Sequence, residues 1–90
     1  MKKVNALIIN LEDNVAIALK DISQGKKVIT SGREPFLALN DIPYSHKVAL
    51  IHISKEGKIV KYGETIAIAK TDIKPGEWVH IHNVGSKVKG

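Results

Sequence analysis

Cysteine is absent from this chain. Neither a disulfide framework nor a thiolate metal centre can be built from it, and the cytoplasm, a reducing compartment, is the expected setting. Aromatic residues are scarce, at 4% of the chain against 43% for all apolar types. The core must therefore be assembled from Val, Ile, Leu and Ala, and such β-branched richness favours strands. No long segment repeats its apolar residues at helical period. No apolar run approaches the ~20 residues that span a bilayer, so no membrane partner is expected. In the opening "MKKVNALIINLEDN", Asn5 interrupts a short apolar run and Glu12 and Asp13 end it. No small-residue cleavage pattern follows, so a signal peptide is not expected.

What is present is basic and small. The 90 residues read as a single domain, 1–90, carrying a net charge of +5. A chain of this length buries only about 60% of its unfolded surface, so the core is modest. The lysines are scattered among acidic residues. A nucleic-acid reader would gather them into a denser patch with interleaved aromatics, so no nucleic-acid partner is expected. A basic balance suits a small anionic substrate or an acidic partner protein.

The chain also repeats itself. "LKDISQGKKVI" (Leu19–Ile29), "LNDIPYSHKVAL" (Leu39–Leu50) and "KTDIKPGEWVHI" (Lys70–Ile81) share Asp-Ile, a tight turn, a charged residue and an apolar strand. "IHISKEGKIV" (Ile51–Val60) is a looser copy with His52 in the place of Asp. Asp21, Asp41 and Asp72 are suited to accept backbone N–H bonds at these turns. Ile22, Ile42 and Ile73 are placed to anchor the turns in the core. Gly25, Gly57 and Gly76 permit positive φ, and Pro75-Gly76 suits a type II turn, whereas Ser45 breaks the glycine pattern. Strands are expected at Val4–Asn10, Val15–Lys20, Lys27–Thr30, Phe36–Asn40, Val48–Ile53, Lys58–Lys61, Thr65–Lys70 and Glu77–Val84. In "TIAIAK", Ile66 and Ile68 share a face. The fold class is all-β, short strands with tight turns, and at most one or two single helical turns, near Asp41–His46 or Ile53–Gly57.

The last expected strand holds "GEWVHIHN", Gly76 to Asn83. Strand alternation puts Val79 and Ile81 on one face, and Trp78, His80 and His82 on the other. With the aliphatic pair turned to the core, the two imidazoles point outward, towards solvent or a partner. A histidine pair on an exposed strand is commonly plain surface, and Trp78 alone reads as cover for a core edge or an interface. Imidazole nevertheless suits acid–base work and first-row divalent metals.

The matching segments extend further. "EDNVAIALKDI" (Glu12–Ile22), "NDIPYSHKVALIHI" (Asn40–Ile53) and "VKYGETIAIAKTDIKPGEWVHIHNV" (Val60–Val84) together resemble the small SAF-type domain, a β-clip fold, of the altronate and galactarate dehydratase family. In that family the domain stands at the N-terminus of a long chain or forms a separate small subunit. Ser45 replaces the Gly usual there before His46, and His52 replaces a common Asp. The resemblance implies a non-autonomous part of a hydro-lyase that removes water from a sugar acid to give a 2-keto-3-deoxy acid. It also implies a large catalytic dehydratase partner and a divalent metal, iron or manganese. A relative with the same layout eliminates sulfite from sulfolactate, so the leaving group stays open. On the matching positions, His80, His82 and His46 are the catalytic candidates, with His80 and His82 also candidate metal ligands. Lys47, Asn83 and Lys61 are the candidates for substrate binding. Tyr62 is expected to pack on the sheet, and His52 to be structural. A non-catalytic module that binds a ligand or a protein is the alternative, and a homo-oligomer is compatible with either reading.

Overall fold

The computed structural model describes residues 3–86. It contains nine short strands: β1 (Ala6–Leu7), β2 (Val15–Ala18), β3 (Lys27–Val28), β4 (Phe36–Leu37), β5 (Lys47–Ala49), β6 (Lys58–Lys61), β7 (Glu64–Ala69), β8 (Trp78–Val79) and β9 (Val84–Gly85). All pairings are antiparallel, in sheets ordered β1-β2-β5-β8, β3-β4 and β6-β7-β9. The protein is all-β, and among the described residues there is no helix, so both expected helical turns are plain tight turns. Most strands are shorter than expected because each repeat gives its flanking residues to a turn.

The first sheet is a wall between two cores. Paired residues of an antiparallel sheet face the same side, and alternate residues face opposite sides. Ala16, Ala18 and Val48 face one core, with Ala6, Ile22, Val28, Ala38, Ile42 and Leu50. Val15, Ala49 and Val79 face the other, with Ile53, Ile59, Ala69 and Ile73. Small alanines let two layers close on one sheet without large aromatics. On β7, Ala67 and Ala69 turn to the second core. Ile66 and Ile68 do share a face, but it is the outer one, where Ile66 is 38% exposed.

The repeated motif builds two reciprocal clasps. Each of its four turns closes with an i→i+3 bond: Lys26 N to Ser23 O (3.0 Å), His46 N to Pro43 O (3.0 Å), Gly57 N to Ser54 O (2.7 Å) and Glu77 N to Lys74 O (3.1 Å). The third turn residue is left-handed each time: Gly25 (φ 88°), Ser45 (69°), Glu56 (75°) and Gly76 (92°). Two expectations are corrected here. Ser45 keeps the turn shape despite its side chain, and in the looser copy Glu56, not Gly57, takes the positive φ. The amide of each left-handed residue donates to the carbonyl of a buried alanine that stands three residues before the Asp or His of the partner repeat: Gly25 to Ala38, Ser45 to Ala18, Glu56 to Ala69 and Gly76 to Ala49. Ile22 bridges Ile42, and Ile53 bridges Ile73, at the centre of each clasp.

The repeat aspartates act across the clasp. Asp21 accepts from Tyr44 N, Asp41 from Gln24 N and Asp72 from Lys55 N, each at 2.8 Å. Asparagines pin the outgoing strands in a similar way. Asn5 bonds Lys27 O and Ile29 N, and Asn14 bonds Lys58 O and Val60 N, each side-chain amide standing in for a neighbouring strand. Asn40 accepts from Trp78 N at 2.9 Å, which fixes the start of β8.

Candidate functional site

Trp78 is paired with Val48 across the sheet, so its indole faces the first core and packs against its edge. His46 immediately precedes β5 and lies on the same side. The indole Nε1–H of Trp78 donates to Nδ1 of His46 at 3.0 Å. His80, two residues past Trp78, shares its face as strand alternation requires. Its ring stacks on the indole with centroids 5.1 Å apart and planes 7° from parallel. The rings of His46 and His80 lie 4.9 Å apart, and the His82 ring lies 5.1 Å from the indole, tilted by 44°. Trp78 is thus the hub of a four-ring cluster holding all three histidines named as catalytic candidates.

The expected strand Glu77–Val84 is not continuous. It leaves β8 at His80, turns through Ile81–Asn83 and enters β9 in a different sheet. Val79 is fully buried as expected, but Ile81 is 74% exposed at the turn, contrary to the inward role assigned to it. The turn exists because of Asn83. This residue is 2% exposed. Its side chain accepts from His80 N (2.9 Å) and donates to Trp78 O (2.8 Å), while its main-chain N–H donates to His80 O at 3.0 Å. The Asn83 amide thus holds the ring cluster in place.

Lys47 faces the opposite side of β5, in the row of Ile17 and Val79. It is half-buried, and burial first, then the charge of Lys61, lowers its pKa from the usual lysine value. The His80 pKa is also lowered, chiefly by desolvation and further by His46, Lys47 and His82. Basic groups thus gather at one margin, with Lys47 on one side of the wall and the histidines on the other. Tyr62 does not pack on the sheet. It is 59% exposed at the tip of the β6–β7 hairpin. Tyr62 and Gly63 both have positive φ (59° and 74°), which suits a two-residue type I′ turn, and Lys61 Nζ lies 5.0 Å from the Tyr62 ring centroid. The hairpin tip is tied down by Asp13, a buried carboxylate that accepts from Gly63 N at 2.8 Å and Asn10 N at 3.1 Å. Asp13 lies in the quoted segment Glu12–Ile22 but outside the repeats, and in the sequence it shows no role beyond ending an apolar run.

Among the described residues no group of three or more His, Asp, Glu or Cys side chains is placed to hold a metal ion. Nδ1 of His46 is occupied by the indole, and no carboxylate joins the rings. His80 and His82 alone are too few for a closed metal site, so the residues present do not by themselves fit the implied metal. No helix among the described residues is long and apolar enough to cross a membrane.

A twin-core domain of clasped repeats thus brings three imidazoles to one indole at its margin. Residues 4–87 match the family model for the altronate/galactarate dehydratase SAF domain, and the chain belongs to that family. It is 41% identical over 75 residues to altronate dehydratase of Bacillus subtilis (strain 168), covering 83% of this chain and 15% of that protein. It is 40% identical over 81 residues to altronate dehydratase of Escherichia coli (strain K12), covering 90% and 15%. It is also 39% identical over 62 residues to the (2R)-sulfolactate sulfo-lyase subunit alpha of Paracoccus pantotrophus, covering 67% of this chain and 92% of that subunit. The chain thus spans about a seventh of the length of the dehydratases and nearly all of the sulfo-lyase subunit.

Proposed function

We propose that this chain is the small, non-autonomous component of a cytoplasmic sugar-acid dehydratase, a hydro-lyase whose reaction centre is completed by a large catalytic partner. The observation that carries this reading is the four-ring cluster at the margin of a domain whose match covers 15% of a dehydratase. Dehydration of a 2,3-dihydroxy acid removes the proton on C2 and expels hydroxide from C3. The enol then gains a proton at C3 to become the 2-keto-3-deoxy acid. His80, with its lowered pKa, supplies a neutral imidazole to take the C2 proton. His82, exposed beside it, returns a proton to the departing hydroxide in this reading. Lys47 and Lys61 supply positive charge for the substrate carboxylate. A divalent metal, iron or manganese, belongs to this reading as a cofactor that the partner would have to hold, since the described residues here do not form its site.

The test combines the chain with the large portion of a related dehydratase lacking this domain, a hexonate and the metal. A 2-keto-3-deoxy acid is the expected product. No turnover of any hydroxy acid, with or without the partner, contradicts the proposal. The coverage of the sulfo-lyase subunit supports a second reading, in which the leaving group is sulfite. Release of sulfite from (2R)-sulfolactate, with no dehydration of hexonates, would select it.

A further inference from the structure

The bond between Trp78 and His46 has a chemical consequence. A neutral imidazole has one nitrogen that donates and one that accepts. Nδ1 of His46 accepts the indole N–H at 3.0 Å, so the proton of the neutral ring sits on Nε2. An indole nitrogen is a donor only and cannot reverse the bond. Among the described residues no protein atom partners Nε2 of His46, and the residue is half-buried. With the Nδ1 lone pair engaged, and the Nε2 lone pair replaced by N–H, the ring has no lone pair free for a metal or for a proton from substrate.

We propose that Trp78 is a positioning residue that locks His46 as a fixed neutral N–H donor, so that His46 stabilises developing negative charge on substrate oxygen instead of acting as base or metal ligand. The catalytic part of this rests on the dehydratase reading, and the tautomer does not. The arrangement divides labour within the cluster. His80 presents nitrogens that no described protein atom occupies, whereas His46 presents only a donor. A donor of fixed orientation needs no reorganisation as charge develops, which is where such hydrogen bonds contribute most. Asn40 supports it by holding Trp78 N at 2.9 Å.

Two measurements test this. Long-range proton–nitrogen spectra of the free chain at mildly alkaline pH should show His46 as a single Nε2–H tautomer. Trp78→Phe, which keeps a ring but loses the donor, should convert it to a mixture. A His46 that is Nδ1–H in the unaltered chain, or a mixture that Trp78→Phe does not change, overturns the proposal whatever the activity. In the reconstituted enzyme, His46→Ala should lower kcat on the order of 10²–10³-fold. His46→Gln, which keeps an N–H donor, should recover much of that loss, and Trp78→Phe should cost on the order of tenfold. A His46→Gln variant as inactive as His46→Ala would assign His46 to proton transfer and contradict the donor role. If the unaltered complex shows no turnover while the tautomer is as described, the dehydratase reading fails and the positioning role of Trp78 stands.

Discussion

His52 and Pro75 occupy corresponding halves of one missing hydrogen bond. In the other three half-clasps an aspartate accepts from the amide three residues beyond the Asp or His of the partner repeat: Tyr44, Gln24 and Lys55. The fourth donor position is Pro75, which has no N–H, and the fourth acceptor position is His52, which has no carboxylate. The turn at Lys74 is instead held by Glu77, whose Oε2 accepts from Lys74 N at 2.8 Å. The loss of acceptor and the loss of donor therefore cancel, and the looser repeat costs the fold nothing at this point.

His52→Asp alone should accordingly leave stability unchanged within about 0.5 kcal/mol. Asp72→Ala should cost about 1–2 kcal/mol, because Lys55 N then loses a charged acceptor. Denaturant titration of both variants checks this. A gain from His52→Asp comparable to the loss from Asp72→Ala would mean that the reciprocal scheme is wrong.

The left-handed turn positions should separate by residue type. Ser45→Gly should stabilise by about 0.5–1 kcal/mol, since a side chain at positive φ is strained and Gly is not, net of its greater unfolded-state freedom. Gly76→Ala should be the most damaging change of this group, because its Cβ would run into the Leu37 carbonyl oxygen. Gly25→Ala has the same backbone strain with open space around it and should cost less. Equal losses at Gly25 and Gly76 would contradict the packing described.

His80 should make stability depend on pH. Its folded pKa lies below the ordinary value of 6.5, so the unfolded chain binds the proton more readily. Stability should therefore fall as pH drops from above 6.5 towards the folded pKa of His80, and level off below it. A His80→Gln variant should lose that part of the slope. Proton NMR of the His80 ring gives the direct reading, with a midpoint below 6.5 expected. A midpoint above that value would contradict the described environment.

Asn83→Ala should cost about 1–3 kcal/mol, because it leaves His80 N and Trp78 O short of partners near a buried position. The loss should come with a changed ring-current shift on His80, since the stacking on Trp78 depends on the same turn. A stable variant with the stacking signature unchanged would show that Asn83 does not hold the cluster.

Much of the architecture is legible in the residues, and the misses have physical reasons. The Asp-Ile repeats and the strand-rich composition point to an all-β domain of tight turns. The quoted segments between Glu12 and Val84 point to the family. What one strand cannot reveal is where a repeat finds its partner. The aspartates look local and act across the clasp, and the alanines that receive the turn amides carry no signal beyond being small. Alternation places Trp78 and His80 together correctly, but it fails at Ile81, because a buried Asn83 amide reverses the chain where strand period alone would continue it. His46 joins the cluster only through the pairing of β5 with β8, a long-range contact that no periodicity contains.

The most direct test of the central claim is turnover of His80→Ala in complex with the large dehydratase partner, with association measured on the same samples. We expect partner affinity to stay within about threefold, a change of under 1 kcal/mol, while 2-keto-3-deoxy acid formation falls by at least 10²-fold. Unchanged turnover by an intact complex would contradict a reaction centre at this margin.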